Sequence, residues 1–190
     1  MRTIYSVTSL GILLLAIYIL FDFFKNNTRN LISRIVFYTF IFYMCVVFQL
    51  TSGGISIPPS KGLVGANFQL IPFRFVFDLI DKAIAYGIGY RFITALKLYF
   101  FNFLMLMPFG LYLNLYFNVK SLSKAALIIL TLVVGIEIFQ AIFSEVGLLR
   151  ASRTTNIDDV ILNTTGAILA YSISQIALVK RFKWHMQKDH

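Results

Sequence analysis

The sequence predicts an all-α, polytopic membrane helix bundle with about five transmembrane helices and an amphipathic helix at the outer membrane interface. The composition points to this class, because 58% of the 190 residues are hydrophobic, only 13% are charged and the mean hydropathy is +0.79. A transmembrane helix needs roughly 20 mostly apolar residues. Five stretches are long enough, at about 4–24, 31–50, 93–117, 125–144 and 160–179. A chain of this length is expected to form one membrane domain over 1–190.

The first two stretches are interpreted as retained transmembrane helices. The stretch 4–24 has the position of a secretory signal, but it is long and ends in Phe-Asp-Phe-Phe-Lys rather than at a small-residue cleavage site. The stretch 31–50 contains Cys45, the only cysteine in the sequence, which we interpret as a small packing residue. One cysteine allows no internal disulfide and no thiolate metal cluster. We expect neither a metal site nor a cofactor.

The connection 51–92 is too long for a simple turn and predicts an amphipathic helix over about 75–90. Apolar residues share one face of this helix and charged residues share another. The apolar set is Val76, Phe77, Ile80, Ala83 and Ile84, and the charged set is Asp78, Asp81 and Lys82. We expect the helix to lie in the outer interface, with its apolar side in lipid or on the bundle. Alternatively, it only caps the bundle.

The third stretch, 93–117, contains Asn102 and Pro108. Proline inside a helix frees the carbonyl four residues earlier, here that of Leu104, and bends the helix axis. In lipid the freed carbonyl must find another partner. The bend either improves helix packing or opens a cavity, and the sequence leaves both alternatives open.

The net charge of +9 does not indicate a nucleic-acid partner, because the basic residues are spread over short loops and the tail. They fit the positive-inside rule better. One basic residue precedes the first stretch, whereas three follow it within the next ten residues. We therefore expect a multi-pass protein with its N-terminus outside and its C-terminus in the cytoplasm.

The fourth stretch, 125–144, contains the carboxylate of Glu137 well inside its apolar run. A charged side chain at this depth costs a few kcal/mol on insertion scales. A glutamine would form hydrogen bonds nearly as well at a lower cost. We therefore interpret Glu137 as functional, and we treat it as the only deeply placed intramembrane charge.

Depth arithmetic predicts that polar residues of three helices meet near the outer leaflet. With about 1.5 Å of rise per residue, Glu137 and Gln140 lie roughly 10 Å and 6 Å below the outer end of their helix, and Asn163 lies at a similar level in the next. Asp159 shares a face with Asn163, and Gly166 keeps that face narrow enough for close helix packing. Asn102 reaches the same level. We expect these side chains to share one buried pocket.

The loop before the fifth stretch adds a cation and capping residues to this predicted pocket. Arg153 is the natural counter-charge for Asp158, Asp159 or Glu137. Asn156 fits a helix N-cap with Asp159 three residues later, as in a capping box. Capping alone therefore explains Asn156 and Asp158, and Asn163 and Gln140 fit simple hydrogen bonds across helices. The functional and the structural interpretation both stay open for these residues.

Taken together, these motifs resemble the VanZ-like family. Glu137-x-x-Gln140, Arg153 and Asp158-Asp159-x-x-x-Asn163-x-x-Gly166 resemble its signature. Asn67-Phe-Gln-Leu-Ile-Pro72-Phe73 and the segment Asn102 to Pro108-Phe-Gly110 resemble its two earlier motifs, so the likeness spans about Asn67 to Tyr171. One departure is Asn156, where the family usually has an acid. The resemblance implies a small integral protein of the bacterial plasma membrane and cell envelope, in a family named for low-level teicoplanin resistance.

Three functions fit these residues. The first is recognition of an envelope lipid, a lipid-linked precursor or a glycopeptide antibiotic. Its ligand-binding residues would be Asn67, Asn102, Gln140, Arg153, Asp158 and Asn163, and its structural residues Pro72, Phe73, Pro108, Gly110 and Gly166. The second is a membrane-embedded enzyme with Glu137 as general acid/base and Asp159 orienting the substrate. The third is a proton-coupled lipid translocator, which the lack of a second intramembrane charge disfavours.

Overall fold

The computed structural model describes the backbone of residues 3–26, 30–59, 67–149 and 154–188, and the side chains of those that lie between 6 and 176. Within these ranges the chain forms seven helices: α1 Val7–Asn26, α2 Leu31–Ser52, α3 Arg74–Tyr86, α4 Tyr90–Met105, α5 Met107–Leu115, α6 Leu122–Glu145 and α7 Ile157–Lys188. Four short strands accompany them: β1 Thr3–Tyr5, β2 Ile55–Ile57, β3 Asn67–Gln69 and β4 Thr154–Asn156. β1 pairs antiparallel with β2, and β3 and β4 form the second sheet.

The predicted all-α membrane bundle is confirmed. Four helical segments are long and apolar enough to cross a membrane: α1, α2, the pair α4–α5 and α6. They match the first four predicted stretches to within a few residues. The fifth stretch, 160–179, lies inside α7, and its last three residues are beyond the described side chains. The fifth span, the single domain and the orientation in the membrane remain predictions.

The chain divides into two compact units. Unit 1 consists of Met1–Phe68 and Ile136–Thr155, and unit 2 consists of Gln69–Gly135 and Asn156–His190. The boundary passes through α6, so the first part of that helix belongs to unit 2 and the rest to unit 1.

Unit 1 is built on a hairpin of α1 and α2, and a buried ion pair holds one end of it. The Asp22 carboxylate, on a residue only 9% exposed, accepts hydrogen bonds from Arg34, from the Tyr38 hydroxyl and from Asn26. Glu137 is therefore not the only charged residue in the apolar helices, although Asp22 and Arg34 lie close to the ends of α1 and α2. Asp22 and Arg34 are tolerated in these helices because each neutralises the other.

The other end of the hairpin is held by Gln49. Its side-chain oxygen accepts hydrogen bonds from the backbone N–H groups of Val7 at 2.7 Å and Thr8 at 3.3 Å. A side chain of α2 thus satisfies backbone donors at the start of α1, which would otherwise lack partners. Between the two ends the helices are close, because a Cβ on Gly11 would lie 2.6 Å from the Cys45 sulfur. This contact agrees with the interpretation of Cys45 as a packing residue.

The core of unit 2 forms where α4 and α5 pack against α7. The predicted interruption at Pro108 is confirmed: the chain leaves helical angles at Leu106, and Pro108 stands in the first turn of α5. The Leu104 carbonyl, which Pro108 frees, accepts the N–H of Leu106. One apolar span is therefore two helices with a short break, and the freed carbonyl is satisfied locally.

Two glycines allow α7 to approach its neighbours backbone to backbone. A Cβ on Gly166 would collide with the Phe103 carbonyl oxygen of α4, and a Cβ on Gly110 would collide with the Ala167 carbonyl oxygen of α7. The close approach predicted at Gly166 is confirmed, and Gly110 makes the same kind of contact from α5.

A polar network that the sequence analysis did not predict joins α5 to α7. Asn114 donates to Ser174 at 2.7 Å, and Gln175 donates to Asn114 at 2.8 Å and to the Tyr171 hydroxyl at 2.9 Å. The Tyr171 hydroxyl in turn donates to the Val119 carbonyl at 2.7 Å. Asn114, Tyr171 and Ser174 are buried, so these bonds replace the water that the side chains lose.

Helix α3 attaches to α4 through Asp78 and Phe75. Asp78 accepts hydrogen bonds from Lys82 and, at 2.9 Å, from the Tyr99 hydroxyl. The Phe75 ring also lies against that of Tyr99, with 5.6 Å between the ring centroids.

Helix α3 ends at Tyr86, earlier than predicted, because the next residue, Gly87, takes a φ of 64°. Four predicted apolar residues stay exposed by 40% to 80% in the structure: Val76, Phe77, Ile80 and Ile84. This arrangement favours lipid, rather than the bundle, as the surroundings of the apolar side.

We predict that Gly166→Ala destabilises the protein by about 1–3 kcal/mol, because the added methyl group must push α4 and α7 apart. Gly135→Ala is the matched control, since a Cβ there meets nothing within 4 Å. Alanine at that position stabilises a helix by up to about 1 kcal/mol. Thermal unfolding of both variants in the same detergent measures the difference. Equal stability of the two variants would contradict the backbone contact.

We predict that Asp78→Asn loosens α3 from α4, which hydrogen–deuterium exchange of the α3 amides will detect as faster uptake. Burial raises the pKa of Asp78, but hydrogen bonds from Lys82 and Tyr99 outweigh it and hold that pKa below its ordinary value of 3.8. The ionised carboxylate therefore stabilises the attachment at neutral pH, and this contribution is lost only as the pH falls through the lowered pKa. Asp81→Asn on the exposed side of α3 is the control, and its uptake should match the wild type.

Candidate functional site

The residues predicted to share one pocket fall into the two units of the structure. Glu137 and Gln140 belong to unit 1, and Asn102, Asp159 and Asn163 belong to unit 2. Within each unit their surroundings are well defined. That all five line a single pocket remains a prediction.

Two further predicted residues lie at or beyond the edge of the described chain. Asn67 opens β3 with an exposed side chain. Arg153, the expected counter-charge, lies outside the described residues.

The start of α7 is capped as the sequence predicts. The side-chain oxygen of Asn156 accepts the backbone N–H of Asp158 at 3.0 Å, so Asn156 is the N-cap of α7. Its side-chain nitrogen lies 3.4 Å from a carboxylate oxygen of Asp159. Asp158 and Asp159 stand in the first helical turn, where the helix dipole favours negative charge. The capping interpretation of Asn156 is confirmed.

The Asp158 carboxylate does more than stabilise its own helix. The residue is only 1% exposed, and its Oδ2 accepts the backbone N–H of Phe75 at 2.8 Å and the side-chain amide of Gln69 at 3.3 Å. Phe75 lies in the first turn of α3, where backbone N–H groups lack partners within the helix. One carboxylate therefore joins the beginnings of α7 and α3.

The motif that contains Pro72 and Phe73 forms the turn that makes this contact possible. Gln69 donates to the Ile71 carbonyl at 2.9 Å and accepts the Ile71 N–H at 2.5 Å, which folds the chain back on itself. Pro72 disfavours helical angles at Ile71, and Phe73 takes a left-handed φ of 61° immediately before α3. The turn thus aims the Phe75 N–H, in the first turn of α3, at Asp158.

Three of the predicted site residues meet where α4 packs on α7. Asn102 donates to the Asp159 carboxylate at 2.7 Å, and Asn163 donates to the backbone carbonyl of Asp159 at 2.8 Å. Asn163 is only 4% exposed. The two asparagines fix both the carboxylate and the backbone of Asp159. We call Asn102, Asp158, Asp159 and Asn163 the asparagine–aspartate cluster.

Two buried oxygens of this cluster have no hydrogen-bond partner among the described residues. They are Oδ1 of Asp158 and Oδ1 of Asn163, and the nearby hydroxyl of Thr164 is in the same condition. An unsatisfied buried acceptor costs about 1–3 kcal/mol, so a native structure rarely keeps one without a reason. Partners supplied from outside the described chain would remove this cost.

Unit 1 holds a separate group of buried polar residues. Glu137 is 6% exposed on α6, and Gln140, one turn further on, donates to the Thr51 carbonyl at 2.8 Å. Gln140 thus satisfies a backbone acceptor at the end of α2. Ser52 and Ser56, close to Thr51 in sequence, are fully buried. These hydroxyls were not predicted from the sequence, although the Thr-Ser-Gly-Gly run directly after an apolar stretch signals a change from helix to irregular backbone.

Among the described residues, no three carboxylate, thiol or imidazole side chains are grouped so that they could hold a metal ion. The asparagine–aspartate cluster instead offers amide and carboxylate oxygens within a helical membrane domain. Such groups suit hydrogen-bonded recognition of a polar ligand.

The chain is similar to one known protein family. A family model described as VanZ/LLP1 matches residues 35–178, which is more than half of the sequence. The matched range includes every residue of the asparagine–aspartate cluster. No curated protein and no solved structure matches the chain.

Proposed function

This chain belongs to the VanZ/LLP1 family, and from that premise we propose that it recognises an amphiphile of the bacterial cell envelope. It is a membrane protein, and its asparagine–aspartate cluster would bind the polar head of the ligand while apolar helices surround an acyl chain. The ligand class includes envelope lipids, lipid-linked precursors and acylated glycopeptide antibiotics such as teicoplanin. Binding of the antibiotic or of its envelope target would give low-level resistance.

The observation that carries this proposal is the incomplete hydrogen bonding of the Asn163 side chain. Its amide nitrogen is bonded to the Asp159 carbonyl, while its buried oxygen has no partner among the described residues. Together with Asn102 it holds Asp159 in one position. Polar groups fixed in advance in a low-dielectric setting lose little entropy when a ligand binds. This supports recognition at the cluster.

The proposal also includes the orientation of the chain in the membrane and the role of Arg153 as a counter-charge. With the N-terminus outside, the start of α7 lies at the outer leaflet, where envelope precursors and glycopeptides are found. Arg153 would then contribute a cation for a phosphate or carboxylate of the ligand. Replacement of Arg153 by alanine is expected to weaken ligand binding.

We predict that Asn102→Ala lowers the amount of co-purifying amphiphile about tenfold, because Asp159 loses the donor that orients it. The measurement is native mass spectrometry of protein extracted gently from bacterial membranes. Thr94→Ala is the control: Thr94 lies exposed on the same helix and bonds only to its own helix backbone, at the Tyr90 carbonyl. If Asn102→Ala retains as much ligand as Thr94→Ala, recognition at the cluster is wrong.

A membrane-embedded enzyme is the second candidate, because Glu137 is 6% exposed in an apolar helix and such carboxyl groups suit acid–base chemistry. Recognition predicts that Glu137→Gln keeps both ligand binding and the cellular phenotype. Loss of the phenotype with binding intact would instead favour catalysis by Glu137. Glu145→Gln, an exposed position of the same helix, controls for the change of charge.

The translocator is the weakest candidate. The ion pair of Asp22 and Arg34 supplies the second intramembrane charge that the sequence analysis found lacking. The two charges satisfy each other, however, and this pairing provides no titrating gate. Recognition therefore stays the preferred function.

A further inference from the structure

We infer that the head group recognised by the asparagine–aspartate cluster is one that donates hydrogen bonds, through an ammonium or through hydroxyl groups. This inference rests on the proposed function and specifies the chemistry of its ligand. It follows from counting which donors and acceptors of the cluster are already used.

The side-chain donors of the cluster bond within the protein. Asn102 donates to the Asp159 carboxylate and Asn163 to the Asp159 carbonyl. The two donors that reach Asp158, the Phe75 N–H and the Gln69 amide, bond to its Oδ2. Each asparagine thus uses one of its two N–H groups on an acceptor of the cluster itself.

What remains is two acceptors. Oδ1 of Asp158 and Oδ1 of Asn163 are each buried without a partner in the described part of the chain, in residues that are 1% and 4% exposed. Neither oxygen can donate, since a carboxylate and an amide oxygen only accept. A ligand group that reaches either oxygen and brings only acceptors would leave that oxygen unsatisfied and add repulsion between lone pairs.

The charge of the Asp158 carboxylate also favours a ligand that donates hydrogen bonds. Both donors to Asp158 are neutral amides, so they satisfy its hydrogen-bonding capacity in part without neutralising it. Buried charges are normally paired, and an ammonium group supplies both a positive charge and up to three donors. Hydroxyl groups of a sugar or of glycerol supply donors without charge. A quaternary ammonium carries a positive charge but has no hydrogen-bond donor. Comparison with it therefore separates the contribution of charge from that of hydrogen bonding.

The experiment uses the full-length protein in nanodiscs that contain equal amounts of three phospholipids. Phosphatidylethanolamine carries a primary ammonium, phosphatidylglycerol carries hydroxyl groups, and phosphatidylcholine carries neither donor. Native mass spectrometry then counts the lipids that remain bound. We expect retention of the ethanolamine or glycerol lipid about tenfold above the choline lipid. Retention of only one of the two identifies the donor as ammonium or hydroxyl.

Equal retention of all three lipids would overturn this inference. If the bound lipid is still lost in Asn102→Ala, recognition at the cluster survives and only the donor requirement fails. If the wild type retains none of the three lipids, the inference is overturned, whereas the proposed function is tested separately by the amphiphile that co-purifies from bacterial membranes.

The variant Asp158→Asn tests whether Oδ1 of Asp158 is the acceptor for the ligand. Its amide oxygen can still accept the Phe75 N–H, while an NH₂ group replaces the unpartnered oxygen and presents a donor to the ligand's donor. We expect retention of the donor-bearing lipid to fall about tenfold or more. Asp81→Asn makes the same chemical change on the exposed side of α3 and should have no effect. Undiminished retention in Asp158→Asn would overturn the assignment to Asp158, and unchanged deuterium uptake in α3 verifies that the variant is folded.

Discussion

The hydrogen bond from the Phe75 N–H to the Asp158 carboxylate is the contact on which the arrangement of unit 2 depends. It fixes the start of α3 to the start of α7, and it explains why the chain turns through Gln69, Pro72 and Phe73 just before. Without this buried acceptor, the Phe75 N–H in the first turn of α3 would lose its partner. The turn motif and the Asp158 carboxylate therefore act together to position the start of α3.

Most polar groups inside the helices are likewise hydrogen-bonded within the protein, since lipid offers them no hydrogen bonds. Arg34 and Tyr38 satisfy Asp22, Gln49 satisfies the start of α1, and Gln140 satisfies a carbonyl of α2. The asparagine–aspartate cluster departs from this pattern, because two of its buried oxygens lack partners in the described chain. Departures of this kind are expected at functional sites rather than in the supporting structure.

The sequence predicted those features that depend on local pattern. Hydropathy located four helical spans, Pro108 located the break between α4 and α5, and spacing placed Asp159 and Asn163 on one face of α7, where Asn102 contacts Asp159. It did not predict the pairing of Asp22 with Arg34, because ion pairing between helices is a tertiary property. It also left open which side of α3 faces the protein: an amphipathic pattern defines two faces but not their neighbours, and here the side that contains Asp78 is attached to α4.

The backbone contacts at Gly110 and Gly166 have a mechanical consequence. Side chains normally form a layer between helices that adjusts by changing rotamers, and here α7 touches α4 and α5 without such a layer. At these two points, sliding of one helix past another would drive carbonyl oxygens into backbone atoms, so the contacts oppose such sliding. Under the proposed recognition, any movement that accommodates a ligand would fall to α3 and to the turn that precedes it.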